Sequence, residues 1–363
     1  MMNRFPVCLV LLVAASTALF AQAARSEPYL AVQQGYKCET CHVNPTGGGL
    51  RNDVGIVFAE NVMPATGLPD GVPIWTGKIS DFLRLGGDLR ASWIRTDVPK
   101  ASAQQGTSLN QLRLYTDVSV IPNRLDLYVD EGLAPGNAQT LEAYARLSDA
   151  ASGFYLKGGK FYLPFGWRLQ DQTAFVREVT GISMTTPDTG VEIGFERQHW
   201  SAQLDLSNGA ANAGTGSGHQ VTGQVVWIQN AYRVGGAASF TNSAAGNRRV
   251  TGVFAGVRTG PVAWLGEADL VHDDGFPGGR SMVAGLGEGD WTIHKGHNLK
   301  LTAEYYDPDR NVREDQQTRY SFLYEWTPLP FVQLRAGFRR YRGIPQSDLD
   351  NRLLMFLELH GFM

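Results

Sequence analysis

From about Phe82 to the end of the chain, apolar and polar residues alternate with a period of two, segment after segment. That period places successive side chains on opposite faces of a strand. Leu85, Gly87, Leu89, Ala91 and Trp93 alternate with Arg84, Asp88, Arg90 and Ser92. Leu112, Leu114, Thr116, Val118 and Val120 alternate with Arg113, Tyr115, Asp117 and Ser119, and Val332, Leu334, Ala336 and Phe338 with Gln333, Arg335 and Arg339. The pattern predicts sixteen strands, near 82–95, 109–120, 124–132, 140–149, 153–161, 190–196, 200–207, 219–228, 231–241, 248–258, 261–272, 282–293, 297–306, 316–327, 331–341 and 351–363. A soluble sandwich also alternates, so connector lengths must decide. Links such as 121–123, 229–230, 259–260 and 328–330 are tight, whereas 96–108, 162–189, 208–218, 273–281 and 307–315 are long. Short turns at one end, long loops at the other and an even strand count are the signature of an antiparallel outer-membrane β-barrel.

The expected fold is therefore all-β, with residues 81–363 as a porin-like barrel. Its lipid face is apolar, and Arg84, Asp88, Arg90, Arg113, Asp117, Asp126, Asp130, Glu142, Arg146, Lys300, Glu304, Arg335 and Arg339 line a wet lumen. Trp93, Trp264, Tyr305, Tyr306, Trp326 and Tyr341, at strand ends, are expected in aromatic girdles. The chain ends on a strand with Phe362 penultimate. The longest connector, 162–189, is expected to fold back into the lumen as a constriction. Lys and Arg are interspersed with Asp and Glu along the chain, which carries a net charge of -3, so no basic stripe points to nucleic acid.

The first residues read as a secretory signal peptide, 1–23: a basic start, an apolar run over 7–20 and Ala21-Gln22-Ala23 as the cleavage site. Cys8 lies inside the apolar run rather than at that junction, which argues against a lipid anchor. The export signal and the barrel place the protein in the outer membrane of a Gram-negative bacterium. Between signal and barrel, residues 24–80 carry the other two of the three cysteines, in Cys38-Glu39-Thr40-Cys41-His42.

This matches C-x-x-C-H, the pattern of c-type haem attachment. Two thiols at that spacing add to the two vinyl groups of one macrocycle, and the adjacent imidazole of His42 binds the iron as proximal ligand. A thioredoxin-like pair would need a βαβ context, and a zinc site two more nearby ligands; the segment offers neither. A plain disulfide beside a chance histidine is the remaining alternative. The expected cofactor is one covalently attached haem c. For the sixth position Met63, in Asn61-Val62-Met63-Pro64, competes with a barrel histidine and with an open or water-bound site; of the later histidines only His360 falls on a predicted inward face. Gly47-Gly48-Gly49 allow unusual backbone conformations and close approach to a flat ligand. Arg51 is a candidate partner for a haem propionate, with a solvated arginine as the alternative.

Signal peptide, a single C-x-x-C-H segment and a barrel of about sixteen strands together resemble the fused outer-membrane cytochrome-porins, the family that includes bacterial iron oxidases. The architectural likeness spans almost the whole mature chain, but only Pro28 to Asn61 is motif-specific. Cys38, Cys41 and His42 carry over directly. The resemblance implies a haem plug at the periplasmic side of the barrel or in its lumen. It would pass electrons between an extracellular donor or acceptor and a periplasmic c-type cytochrome or other carrier, either as an extracellular iron oxidase or simply as an electron-transfer protein. Ala31-Val32-Gln33 stands where the iron oxidases tend to have Ala-Arg-Gln, and the triple glycine is more pronounced, so Fe²⁺ as the donor is the least supported element. Acidic loop residues such as Asp273, Asp274, Asp307, Asp309, Glu314 and Asp315 are candidates to attract a cation at the outer mouth. A different class of function is a channel for small polar solutes with a haem-bearing or disulfide-linked plug.

Overall fold

In the computed structural model, which describes residues 27–69, 71–209, 218–244 and 246–363, sixteen antiparallel strands close into one barrel. They are β1 (Leu83–Asp97), β2 (Gln104–Ile121), β3 (Leu125–Ala134), β4 (Gln139–Asp149), β5 (Phe154–Phe161), β6 (Asp188–Arg197), β7 (Trp200–Ser207) and β8 (His219–Ile228), followed by β9 (Tyr232–Ser243), β10 (Gly246–Thr259), β11 (Val262–Asp273), β12 (Arg280–His294), β13 (His297–Asp307), β14 (Gln317–Leu329), β15 (Val332–Arg342) and β16 (Leu353–Phe362). Each strand pairs with its sequence neighbours, and β16 closes the seam on β1 with Asp88 opposite Phe362 and Asp97 opposite Leu353. Every expected strand is present; the largest differences are at strand ends. The expected signal peptide and the Cys8 question lie outside the described residues.

The seven connections at one end are turns of two to four residues, and the longer loops all lie at the other. Outward residues are apolar: Leu206, Val253, Leu301 and Leu357 are each more than half exposed, as a bilayer-facing wall requires. At the short-turn end Phe154, Trp200, Tyr232, Trp264, Trp291 and Trp326 ring the outer surface, all of them exposed. Tyr306 and Tyr341 depart from the expected girdle. Both face inward, with ring centroids 5.6 Å and 6.4 Å from that of Phe175. Strand parity decides this, since Tyr341 shares the inward face of β15 with Arg335 and Arg339.

The lumen is not a wet pore. All thirteen expected charges point inward, but Asp130 is 0% exposed, Arg90 1% and Glu142 1%. Lys157, Glu192, Asp205, Asp290 and Glu325 are likewise fully buried. Charges lining open water would not be shielded in this way. Two insertions fill the space.

One insertion is the 162–187 connector, which crosses the lumen as expected. Near its start the Tyr162 amide donates to Glu142 on β4, 3.1 Å. Further on the Trp167 amide donates to Glu267 on β11, 3.0 Å, and the Phe175 amide to Glu304 on β13, 2.8 Å. Asp171 is clamped between Arg319 and Arg339 at 2.8 and 3.0 Å. A short helix, α3 (Phe175–Thr180), buries Phe175, Val176 and Val179.

The second insertion is the N-terminal segment. Helix α1 (Pro28–Gln34) begins on proline, whose missing N–H costs nothing there, and stops at Gly35 with φ 70°. A side chain at that glycine would lie 2.7 Å from the Asn230 carbonyl of a short turn, so both the conformation and the close approach select glycine. Tyr29 and Val32 of α1 share one apolar cluster with Phe165 and Trp167 of the connector. Helix α2 (Asp53–Asn61) follows. The chain then leaves by the short-turn end, where the Ala65 amide donates to the Thr327 carbonyl at 2.7 Å.

Candidate functional site

Cys38–Thr40 forms a single 3-10 turn, and the amides of Cys41 and His42 both donate to the Cys38 carbonyl, at 3.2 and 3.1 Å. That winding brings Cys38, Cys41 and His42 to the same cleft. Behind them His42 and Arg51 face each other in a short antiparallel bridge. Asn52 joins motif and helix: its side chain caps α2 by accepting from the Gly55 amide at 3.0 Å and donates to the Glu39 carbonyl at 2.9 Å.

The segment is fastened to the wall from many directions. The Tyr29 hydroxyl donates to Glu325, 3.0 Å, and Arg233 donates to the carbonyls of Ala31 and Tyr36, 2.7 and 2.6 Å. Arg258 donates to the Gln33 carbonyl, 2.7 Å, and Asn44 to Glu142, 3.1 Å. Lys37 pairs with Glu196 at 3.1 Å and Lys300 with Glu27 at 3.3 Å. Arg146 meets the Val43 carbonyl and Arg168 the Thr46 hydroxyl.

Between segment and wall lies a cleft. Cys38, Cys41, His42, Arg51 and Met63 all line it, so the five candidate residues converge on one space. Leu30, Tyr36 and Phe58 give it apolar walls, with Tyr36 and Phe58 edge to face at 6.5 Å. β1 supplies Arg90, β15 supplies Gln333 and β16 supplies His360 and Phe362.

Burial, and then the Arg51 charge, push the His42 imidazole down to about 3, leaving it neutral at physiological pH, the form that binds metals. Its Nδ1 is buried without a hydrogen-bond partner. Burial likewise pushes both thiols up, and they stand as free cysteines. Two thiols and a neutral imidazole on one apolar-walled cleft suit a covalently held haem, with Met63 available in the wall. His360 is less available. Its two ring nitrogens are engaged, by Asp88 at 3.0 Å and Gln333 at 3.2 Å, so ligation would break one of those contacts. Arg51 is half-buried, with its guanidinium 4.5 Å from the Phe362 ring centroid.

The glycines act differently from expectation. Gly47, Gly48 and Gly49 all take positive φ, as their residue type allows. The close approach at Gly48 is to Met184, however, and at Gly49 to the Tyr128 hydroxyl. No flat ligand is needed to account for them. Gly55 is the glycine that the site demands: a Cβ there would sit 2.1 Å from the Cys41 carbonyl. Gly55→Ala is expected to lift α2 off the motif at a cost of about 1–3 kcal/mol. Limited proteolysis would then cut the N-terminal segment faster while the barrel stays resistant.

Sequence reasoning missed Glu27, Tyr36, Phe58, Gln333 and Phe362 as wall residues. Phe362 was within reach, because period two places it on the inward face with His360 and Glu358. At the other end His272 pairs with Asp274 at 3.2 Å. Among the described residues no group of three or more His, Cys, Asp or Glu side chains is arranged to hold a bare metal ion.

No protein-family model and no curated protein matches the chain. Solved structures do match its fold. It is similar to an anion-selective porin from Comamonas acidovorans, with a TM-score of 0.62 at 10% identity, over 77% of this chain and 99% of that one. It is also similar to the trimer form of OmpT, an outer-membrane protein of Vibrio cholerae, with a TM-score of 0.61 at 11% identity over 77% and 99%. A third is the outer-membrane channel DcaP of Acinetobacter baumannii, with a TM-score of 0.57 at 13% identity over 77% and 97%. The covered share is about the length of the barrel itself.

Proposed function

We propose that this porin-type outer-membrane barrel is an insulated electron conduit, its lumen closed by a plug that carries one haem c on Cys38 and Cys41 with His42 as proximal ligand. The observation that carries the proposal is the convergence of both thiols, the imidazole and Met63 on one apolar-walled cleft inside a filled lumen. A bound haem would supply a one-electron couple, with Met63 as the candidate for the sixth position. The chain's own residues do the rest. Leu30, Phe58 and Phe362 keep water from the cleft, Arg51 offers a cationic partner to a carboxylate, and the connector and plug bar solutes from the path. Electrons would enter or leave between a small reductant or acceptor at the long-loop mouth and a soluble carrier at the short-turn mouth.

The second reading is a channel for small polar solutes whose plug moves aside. Likeness to porins and a charged lumen favour it more directly than they favour the conduit; buried lumen charges favour the conduit. Proteoliposomes separate the two. Reduction of a c-type absorbance by a membrane-impermeant donor on the long-loop side, without solute leakage, supports the conduit. Rapid solute flux with no such reduction supports the channel.

A further inference from the structure

Resting on the haem reading, we propose that Glu27 is the proton acceptor linked to reduction at this site: when a one-electron reductant delivers an electron to the cleft, water supplies one proton and the Glu27 carboxylate becomes the neutral acid. Glu27 stands just before α1 and lines the same cleft as Cys38, Cys41 and His42. One of its oxygens is 3.3 Å from Lys300 Nζ; the other, Oε1, is buried with no hydrogen-bond partner. That open oxygen is where a proton can be added without breaking a contact. Gaining an electron in a buried cleft adds a negative charge, and a carboxylate nearby then holds a proton more tightly.

The surrounding charges leave Glu27 poised. Lys300 on β13 faces it but is shared with Glu288 and Asp290 of β12, each at 3.5 Å. Glu325 on β14 opposes it, while Arg335 on β15 and Arg90 on β1 attract it. Both arginines are themselves paired with Glu358 of β16, Arg335 also with Glu325 and Arg90 also with Asp88. His360 is held by Asp88 and Gln333. From the plug, Tyr29 donates to Glu325, Lys37 pairs with Glu196 and Arg51 stacks on Phe362, with Tyr36 in the cleft wall. Burial is the largest influence on Glu27 and pushes its carboxyl upward. Glu27 is also the one carboxylate among the described residues of the cleft wall.

By linkage, proton uptake on reduction makes the midpoint potential fall as pH rises. In the purified full-length protein the expected slope approaches about 59 mV per tenfold change in proton concentration, and in Glu27→Gln it flattens. A reduced-minus-oxidised infrared spectrum should gain a protonated-carboxyl band that the variant lacks. If the variant keeps both the slope and the band, the inference is overturned while the haem reading stands. If the wild type shows no c-type bands, the haem reading fails and takes this inference with it.

Discussion

Removing residues 27–80 while keeping residues 1–26 is expected to raise planar-bilayer conductance roughly tenfold or more, toward that of an open porin. The wall does not depend on the plug for closure, because all sixteen strands are paired to their neighbours. Inward residues now sealed by the plug, among them Glu142, Glu325, Lys300 and Arg233, would meet water and ions instead. The 162–187 connector would remain as the constriction, held by Asp171 to Arg319 and Arg339 and by Arg177 to Glu267. Conductance staying at background in the folded truncation would mean that the connector alone seals the lumen, and the plug would lose its insulating role.

The second large effect concerns the motif. Replacing Cys38 and Cys41 together by serine is expected to abolish covalent haem entirely, so that acidified organic solvent extracts any residual pigment and no c-type band survives denaturation. Stability should change little. The segment is anchored through Tyr29, Gln33, Lys37, Asn44 and main-chain carbonyls, and neither thiol takes part in those contacts. A wild-type protein that yields no covalent c-type chromophore when produced alongside haem-attachment machinery would reject the cofactor outright and return the function to the channel reading.

Strand number and order were legible because period two is a local property: each residue's face follows from its neighbours at two positions' remove. The C-x-x-C-H turn was legible for the same reason, since it is closed by hydrogen bonds within five residues. What fills the lumen was not. Alternation marks the inner face as polar but does not say what meets it, and the partners lie far apart in the chain, as with Arg233 and Ala31, Lys300 and Glu27 or Tyr29 and Glu325. Tyr306 and Tyr341 sit at strand ends yet face inward, because parity outranks position along the strand. The triple glycine suggests a ligand by type alone, but the bulk it makes room for belongs to Tyr128 and Met184.

The plug's fastenings bear on its portability. Its helices have seven and nine residues, too few to build an independent interior, and the atoms that would form one belong to the barrel wall and the connector. The barrel serves as the solvent in which this segment folds. Grafting residues 27–80 onto another sixteen-stranded barrel would therefore transplant the cysteines without the cleft, and expressing them alone would yield a peptide rather than a small cytochrome. A haem held on these cysteines would change hands in evolution only together with the wall that encloses it.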